Sequence, residues 1–212
     1  ATALNAQLWS LTGVVVPTVI LIALYLRIAN LDRSIPFAAL ALALAALYGY
    51  ATEYLGKRPP QPGLASATAI YAAGAVASLA LALTFALDKG WLTVGLSLMV
   101  PGIAWISERR PLPALRYLAA AIIVVVLMRV GYEPRIVGRD VGTTPIFNWL
   151  LYGYGVPAAS FWYAGYLLRR RADDMPTRMA EAAAILFTVL LALLEIRHYM
   201  NNGDVYRRSA AL

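Results

Sequence analysis

The polar residues that end the last long hydrophobic stretch of the chain are the first candidates for chemistry. Apolar residues dominate positions 180–194, and Glu195, Arg197, His198 and Asn202 follow within about two helical turns. A glutamate one turn from a histidine can relay protons or shape a cation site, because histidine titrates near neutral pH. Ionisable groups at the end of a membrane-crossing helix are costly without partners or water, so these residues are the primary candidate site.

The composition identifies the kind of protein that carries these groups. Of 212 residues, 61% are hydrophobic and only 14% are charged, and the mean hydropathy is +0.66. A soluble domain of this length could not bury so much apolar surface, so we predict a membrane protein. Runs such as AIIVVVLM do not alternate between polar and apolar residues, which favours helices over a closed barrel.

We therefore predict an all-α fold, a polytopic transmembrane helix bundle that forms one domain over residues 1–212. Each predicted span is long enough as a helix to cross a hydrocarbon core of about 30 Å. The spans lie near residues 8–29, 35–55, 65–87, 91–107, 112–130, 146–168 and 178–199.

The basic residues indicate orientation and partners. A formal net charge of +7 would suggest nucleic acid in a soluble protein, but here Lys and Arg lie at the ends of apolar spans, next to lipid head groups. We expect the lipid bilayer and other membrane helices or subunits as partners, and no nucleic acid. The compact basic clusters lie in the second, fourth and sixth connections, near residues 57–58, 109–116 and 169–178. Lys and Arg are divided equally between the two faces, nine and nine, so the position of the compact clusters in short connections near helix ends decides the orientation. It places the N-terminus in the cytoplasm and the C-terminus on the opposite side of the membrane.

Seven spans also place two distant segments on one face of the membrane. The connection after span five and the residues after span seven emerge together, so their charged and polar groups can meet. From the fifth span, this connection and the start of span six, the candidates for binding or for a proton or ion relay are Arg129, Glu133, Arg139, Asp140 and Asn148. They join Glu195, Arg197, His198 and Asn202.

Span seven itself carries a polar stripe. Glu181, Thr188, Glu195 and Asn202 recur every seven residues, which puts them on one side of a helix. The stripe should face other helices or a wet cavity instead of lipid. The alternative to a proton or ion site is a purely structural network of salt bridges and helix caps that connects the last helix to the long connection. The sequence leaves both interpretations open.

Three local features carry their own expectations. Pro17 should kink span one unless a neighbour satisfies the carbonyl that it frees. Span three has small residues every four positions, which lets another helix approach closely. We expect the first half of span six to be irregular or tightly packed, because Gly153, Gly155 and Pro157 interrupt it.

Several kinds of chemistry lack support in the sequence. The chain has no cysteine and one histidine, so we predict no transition-metal centre and no cofactor, although a calcium or magnesium site formed by carboxylates stays open. No Gly-rich phosphate loop, nucleophile elbow or His-x-x-x-His pair occurs, so we name no catalytic residue.

Three stretches resemble one known family. WLTVGLSLMVPGIAWISERRPLPALRYLA, PIFNWLLYGYGVPA and LEIRHYMNNGDVY are similar to the bacterial polytopic membrane proteins grouped as domain of unknown function 2339, over about residues 91–206. The resemblance implies a Gram-negative inner-membrane protein with more than seven helices, of which this chain is a fragment. It implies no activity.

The leading functional hypothesis is an integral inner-membrane protein of transporter-like or envelope-associated type, with a polar site on the periplasmic face. The alternative is a structural or accessory subunit that scaffolds a larger membrane complex. A membrane-embedded transferase acting on lipid-linked sugars ranks third.

Overall fold

The computed structural model describes residues 3–109, 112–133, 141–142, 144 and 146–201. Over these residues the regular structure is entirely helical, which confirms the predicted all-α bundle. The helices are α1 Ala3–Ile28, α2 Ile35–Gly56, α3 Leu64–Ala86, α4 Lys89–Arg109, α5 Pro113–Tyr132, α6 Val156–Arg169 and α7 Met175–Met200. A π-helical segment, Leu151–Gly155, runs directly into α6.

Six of the helices, α1 to α5 and α7, are long and apolar enough to cross a membrane. Their bounds follow the predicted spans, except that α1 begins at Ala3 instead of near residue 8. The segment ALNAQ contains no proline or glycine, so helical structure continues beyond the strongly apolar stretch. The predicted sixth span consists of the π segment and the shorter α6.

The chain divides into two compact units, Ala1–Asp88 and Lys89–Leu212. In the first unit, Pro17 lies inside a continuous α1. Proline has no N–H, so it leaves the carbonyl of Gly13, four residues earlier, without its helical partner. The Tyr48 hydroxyl of α2 donates to Gly13 O at 3.3 Å and to Val14 O at 3.1 Å. A side chain of α2 thus provides the hydrogen bond that Pro17 removes from the Gly13 carbonyl.

Small residues on α3 allow close packing in this first unit. Gly74, Ser78 and Ala82 are buried along one side of α3. A Cβ atom at position 74 would lie 2.6 Å from Val14 Cγ1 of α1, a distance that requires the Val14 side chain or its helix to shift. The small-residue stripe is therefore a packing surface, as its four-residue spacing indicates.

In the second unit, α4 is the central helix. It packs against α5, α6 and the π segment, and 56% of its most apolar stretch is buried, compared with 33% for α5 and 22% for α7. Pro101 lies within it, and the helix continues to Arg109 without a break. Pro101-Gly102 therefore does not create a discontinuous helix.

The expected irregularity of the sixth span takes the form of the π segment. Pro157 lacks an N–H and its ring crowds the carbonyl of residue 153, while Gly153 and Gly155 weaken the helical preference of the turn before it. A wider π turn relieves the crowding at this position. Because the π turn ends where α6 begins, it changes the angular positions of Trp149, which precedes it, and of Tyr152, which lies within it, relative to α6.

Candidate functional site

The polar stripe of α7 faces the sixth helical segment along its whole described length. This segment is the continuous run of helical residues 149–169, which comprises a short α-helical start, the π segment and α6. Glu181 Oε2 lies 2.6 Å from Arg169 Nη2, near the end of α6. Thr188 Oγ1 accepts a hydrogen bond of 3.2 Å from Trp162 Nε1, in the middle of α6. Glu195 binds the residues that begin the helical segment. The heptad spacing thus correctly predicted a polar contact surface between helices; Asn202 lies outside the described residues.

The Glu195 carboxylate is held at the N-terminus of the sixth helical segment. Its Oε2 atom accepts from Asn148 Nδ2 at 3.1 Å and from the Ile146 amide at 3.3 Å. Asn148 in turn accepts from the Leu150 amide through Oδ1 at 2.7 Å, which is the geometry of a helix cap. A carboxylate at this position is favoured by the unpaired amides and the positive end of the helix dipole.

The backbone before the cap adopts an unusual conformation. Ile146 has φ 69°, in the left-handed region that β-branched residues rarely adopt, and Gly142 has φ 92°. The Trp149 amide donates to Val141 O at 3.0 Å and so holds these two residues together. The Ile146 conformation costs about 1–3 kcal/mol, and it directs the amide of that residue to Glu195.

His198 is buried one turn beyond Glu195, with 1% of its surface exposed. Its Nε2 atom lies 2.7 Å from Gly142 O. A carbonyl oxygen only accepts, so Nε2 carries a proton, and Nδ1 offers a lone pair whenever it does not itself carry one. Within the described part of the chain, His198 Nδ1 and Glu195 Oε1 are both buried without a hydrogen-bond partner. The end of α7 therefore presents two buried acceptors.

A cavity of about 450 Å³ lies next to these residues. The Trp91 and Trp149 rings meet edge to face at 5.1 Å between centroids, and Trp149 meets Tyr152 in the same way at 5.8 Å. The described residues that line the cavity are Trp91, Val141, Gly142, Thr144, Phe147, Asn148, Trp149 and Tyr152. Asn148 and Gly142 thus contact α7 on one side and the cavity on the other.

The other predicted site residues have different placements. Arg129, near the end of α5, donates through Nε to Thr93 Oγ1 of α4 at 3.2 Å. Glu133 follows α5, where its amide donates to Arg129 O, and Arg197 is exposed on α7. The structure brings together Glu195, Asn148 and the turn that binds His198. Arg139, Asp140 and Asn202 lie outside the described residues.

Sequence reasoning missed four residues at this end: Trp91, Trp149, Thr93 and Gly142. Tryptophan at a span end is ordinarily interpreted as an interfacial anchor, so Trp91 and Trp149 gave no distinctive signal. Thr93 and Gly142 act through a hydroxyl and a main-chain carbonyl. Only the tertiary structure identifies such groups as partners.

At the opposite end of the second unit, Arg116 joins the start of α5 to the connection between α6 and α7. Its guanidinium binds Asp174 through Nε at 2.8 Å and Nη2 at 2.6 Å. It also donates to the carbonyls of Leu168 and Ala172. The pKa of Asp174 is lowered from 3.8 to about 2, chiefly by the hydrogen bonds that its carboxylate accepts from Arg116. Hydrogen bonds from Thr177 also lower this pKa, and partial burial opposes the shift. Asp174 also caps α7 by accepting from the Thr177 amide.

Further contacts at this end join the same helices. Arg170 lies 2.9 Å from Glu108 of α4, and Arg171 donates to the main-chain carbonyl of Glu108. Arg178 pairs with Asp173 at 3.3 Å. The described basic residues of the fourth and sixth connections thus lie at one end of the second unit. Those that pair with a carboxylate there are Arg116, Arg169, Arg170 and Arg178.

The two ends of the second unit differ in how their charges are satisfied. At the Arg116 end, the carboxylates of Asp174, Glu181, Glu108 and Asp173 each pair with an arginine, whereas the Glu195 end retains buried polar atoms without a partner among the described residues. No group of three or more His, Asp or Glu side chains suited to a metal ion occurs among residues 3–109, 112–133 and 146–201 or the few described positions between them. Proton transfer and cation binding are the chemistry that a carboxylate and an imidazole can perform here.

The apolar helices and the polar contacts between them define an integral, multi-pass membrane protein. The chain belongs to the family described as predicted membrane protein (DUF2339), whose match covers residues 1–212. The family relationship thus extends beyond the three stretches near residues 91–206 that carried the resemblance. No curated protein and no solved structure matches the chain.

Replacement of Asp174 by asparagine tests the Arg116 clamp. Because the pKa of Asp174 is depressed in the folded state, its ionised form stabilises the fold above about pH 4, and this contribution is lost as the pH falls towards 2. Asp174→Asn retains a capping oxygen but loses the charge, so it should lower stability at neutral pH by about 1–2 kcal/mol. Thermal unfolding of the purified protein between pH 6 and pH 2 should show a flatter profile for this variant.

Asp173→Asn is the matched control, because Asp173 pairs with Arg178 in an exposed position. It should change stability by less than about 0.5 kcal/mol. An equal loss of stability in the two variants would contradict the special role of Asp174.

Proposed function

We propose that the protein is transporter-like, and that Glu195 and His198 accept protons or small cations on the periplasmic face of a bacterial inner membrane. The observation that carries this proposal is the pair of buried acceptors, Glu195 Oε1 and His198 Nδ1, one turn apart on α7. Buried polar atoms are normally hydrogen-bonded, and two acceptors in succession are complementary to a donor or a positive charge. Burying them without such a ligand costs free energy that a purely structural network would avoid.

A connection between Glu195 and the aromatic cavity supports transport over simple proton storage. Glu195 binds Asn148 Nδ2, and Asn148 also lines the cavity. A change in the charge of Glu195 therefore alters the hydrogen bonding of a cavity residue directly. Coupling between an ion site and a neighbouring ligand cavity is what a secondary transporter requires.

The proposed orientation has its support in the distribution of basic residues. Arg109, Arg116 and Arg169–Arg171 lie at the end of the second unit opposite Glu195. The two faces carry equal numbers of Lys and Arg, but the compact clusters in short connections lie at the Arg116 end, and such clusters are typical of the cytoplasmic face, so we assign the Glu195 end to the periplasm. The lipid bilayer is the proposed partner of the exposed apolar side chains, with other membrane helices or subunits beside them.

Glu195→Gln tests the proton-accepting role. Glutamine retains an oxygen for Asn148 and Ile146 but removes the charge and the ready proton acceptor. In proteoliposomes with an entrapped pH-sensitive dye and an imposed pH gradient, wild-type protein should dissipate the gradient faster than empty liposomes. The variant should lose about tenfold or more of this rate.

Glu181→Gln, on the same stripe of α7, is the control and should retain the flux, because Glu181 pairs with Arg169 at the other end of the helix. Wild-type flux no faster than that of empty liposomes, or equal flux in Glu195→Gln, would contradict transport. An absence of wild-type flux together with a lower unfolding temperature of Glu195→Gln would support the alternative of a scaffolding subunit.

Cysteine labelling tests the orientation, because the chain has no cysteine of its own. Met200→Cys places a thiol at the exposed end of α7, and Ala172→Cys places one in the exposed connection after α6. A membrane-impermeant maleimide added to right-side-out spheroplasts should label position 200 and leave position 172 unlabelled until the membrane is opened. Labelling of position 172 and not of position 200 in intact spheroplasts would show the opposite topology and contradict the proposed orientation.

A further inference from the structure

The shape of the cavity beside Asn148 restricts what it can bind. Its volume of about 450 Å³ is in the range of small-molecule sites. The Trp91 ring lies at 81° to the Trp149 ring, and the Trp149 ring lies at 74° to the Tyr152 ring. Each pair of neighbouring rings therefore meets edge to face. Rings that support one another in this way are already positioned before a ligand arrives, which lowers the entropic cost of binding.

Two polar side chains of the lining, Asn148 and Thr144, offer acceptors to a ligand. Asn148 uses its Nδ2 hydrogens on Thr144 O and Glu195 Oε2, and the Thr144 hydroxyl donates to Phe147 O. What these two side chains still offer a ligand are lone pairs, one on Asn148 Oδ1 and those on Thr144 Oγ1. A ligand that binds to these two side chains must supply hydrogen-bond donors or positive charge. An anionic group placed against them and against the ring faces would meet lone pairs and negative π density.

The negative charge of Glu195 reinforces this preference. Its Oε2 atom binds Asn148 Nδ2 at 3.1 Å, and this hydrogen bond polarises the amide so that Oδ1 becomes more negative. The described lining residues include no charged side chain that would bind an anion. Arg129, a basic residue at this end, directs its Nε to Thr93.

We propose that this aromatic cavity binds an organic cation of the alkylammonium class. The ring faces of Trp91, Trp149 and Tyr152 attract the methylene or methyl groups around the positive nitrogen, and Asn148 Oδ1 and Thr144 Oγ1 accept from its N–H or hydroxyl donors. The binding step involves only these contacts. The assignment of the cation as the substrate that is moved rests in addition on the proposed transport function.

Choline and its neutral isostere 3,3-dimethylbutan-1-ol test the proposal, because they have the same shape and differ in charge. The chain has five tryptophans, so 5-fluorotryptophan labelling gives five ¹⁹F signals, which Trp→Phe variants assign. The protein is placed in lipid nanodiscs that contain neither choline nor ethanolamine head groups. Choline should shift the Trp91 and Trp149 signals saturably with a Kd of about 1–10 mM, and the isostere should bind at least about tenfold more weakly.

Trp149→Leu should abolish the choline response. Tyr152→Leu replaces a more exposed ring and should weaken the response, and it provides a second test in case Trp149→Leu folds poorly. Trp162→Phe is the matched control, because Trp162 lies on α6 and bonds to Thr188, away from the cavity. Equal binding of choline and its isostere would show an apolar pocket only and would overturn the proposal. So would an absence of shifts, or shifts that include Trp162 equally.

The two proposals can fail separately. Proton flux that depends on Glu195, without choline binding, would remove the alkylammonium ligand and leave transport standing. Choline binding that depends on Trp149, without proton flux, would remove transport and leave the cation site.

Discussion

The need to satisfy the Glu195 carboxylate at the end of a membrane-crossing helix organises the second unit of this protein. An unpaired charge in a membrane helix costs about 3 kcal/mol or more, so the helix is stable only if its neighbour provides donors. The start of the sixth helical segment provides them, through Asn148 and the Ile146 amide. The same turn carries the carbonyl that binds His198 and the side chains that line the cavity.

The two ends of this unit differ in how completely the carboxylate at each end is hydrogen-bonded. Asp174 is fully engaged by Arg116 and Thr177, and its lowered pKa reflects that engagement. Such a group is a structural element with a fixed charge. Glu195 binds through one oxygen and leaves the other buried without a described partner, and His198 does the same through its ring nitrogens. A site that retains unsatisfied acceptors can respond to a ligand, whereas a saturated clamp cannot.

Much of this arrangement was predictable from the sequence, and the reasons are physical. Span length and composition located the helices, because a bilayer of fixed thickness imposes its length on any helix that crosses it. The seven-residue spacing of Glu181, Thr188 and Glu195 predicted one polar face, since helical geometry is local and periodic. The partners on the facing segment, Arg169, Trp162 and Asn148, depend on how two helices pack, and no local rule specifies that. The cavity was missed for the same reason, since its tryptophans look like interfacial anchors until their rings are seen to meet.

The central claim is that Glu195 of α7 meets Asn148 at the start of the sixth helical segment, and cross-linking tests it most directly. In a chain without cysteine, Asn148→Cys is combined with Glu195→Cys and treated in native membranes with a short bis-maleimide. The control pairs Asn148→Cys with Glu181→Cys, about 21 Å further along α7 at about 1.5 Å per residue. Mass spectrometry should find an intramolecular cross-link in the first pair and none in the second. No cross-link between positions 148 and 195, or equal cross-linking in both pairs, would contradict the account.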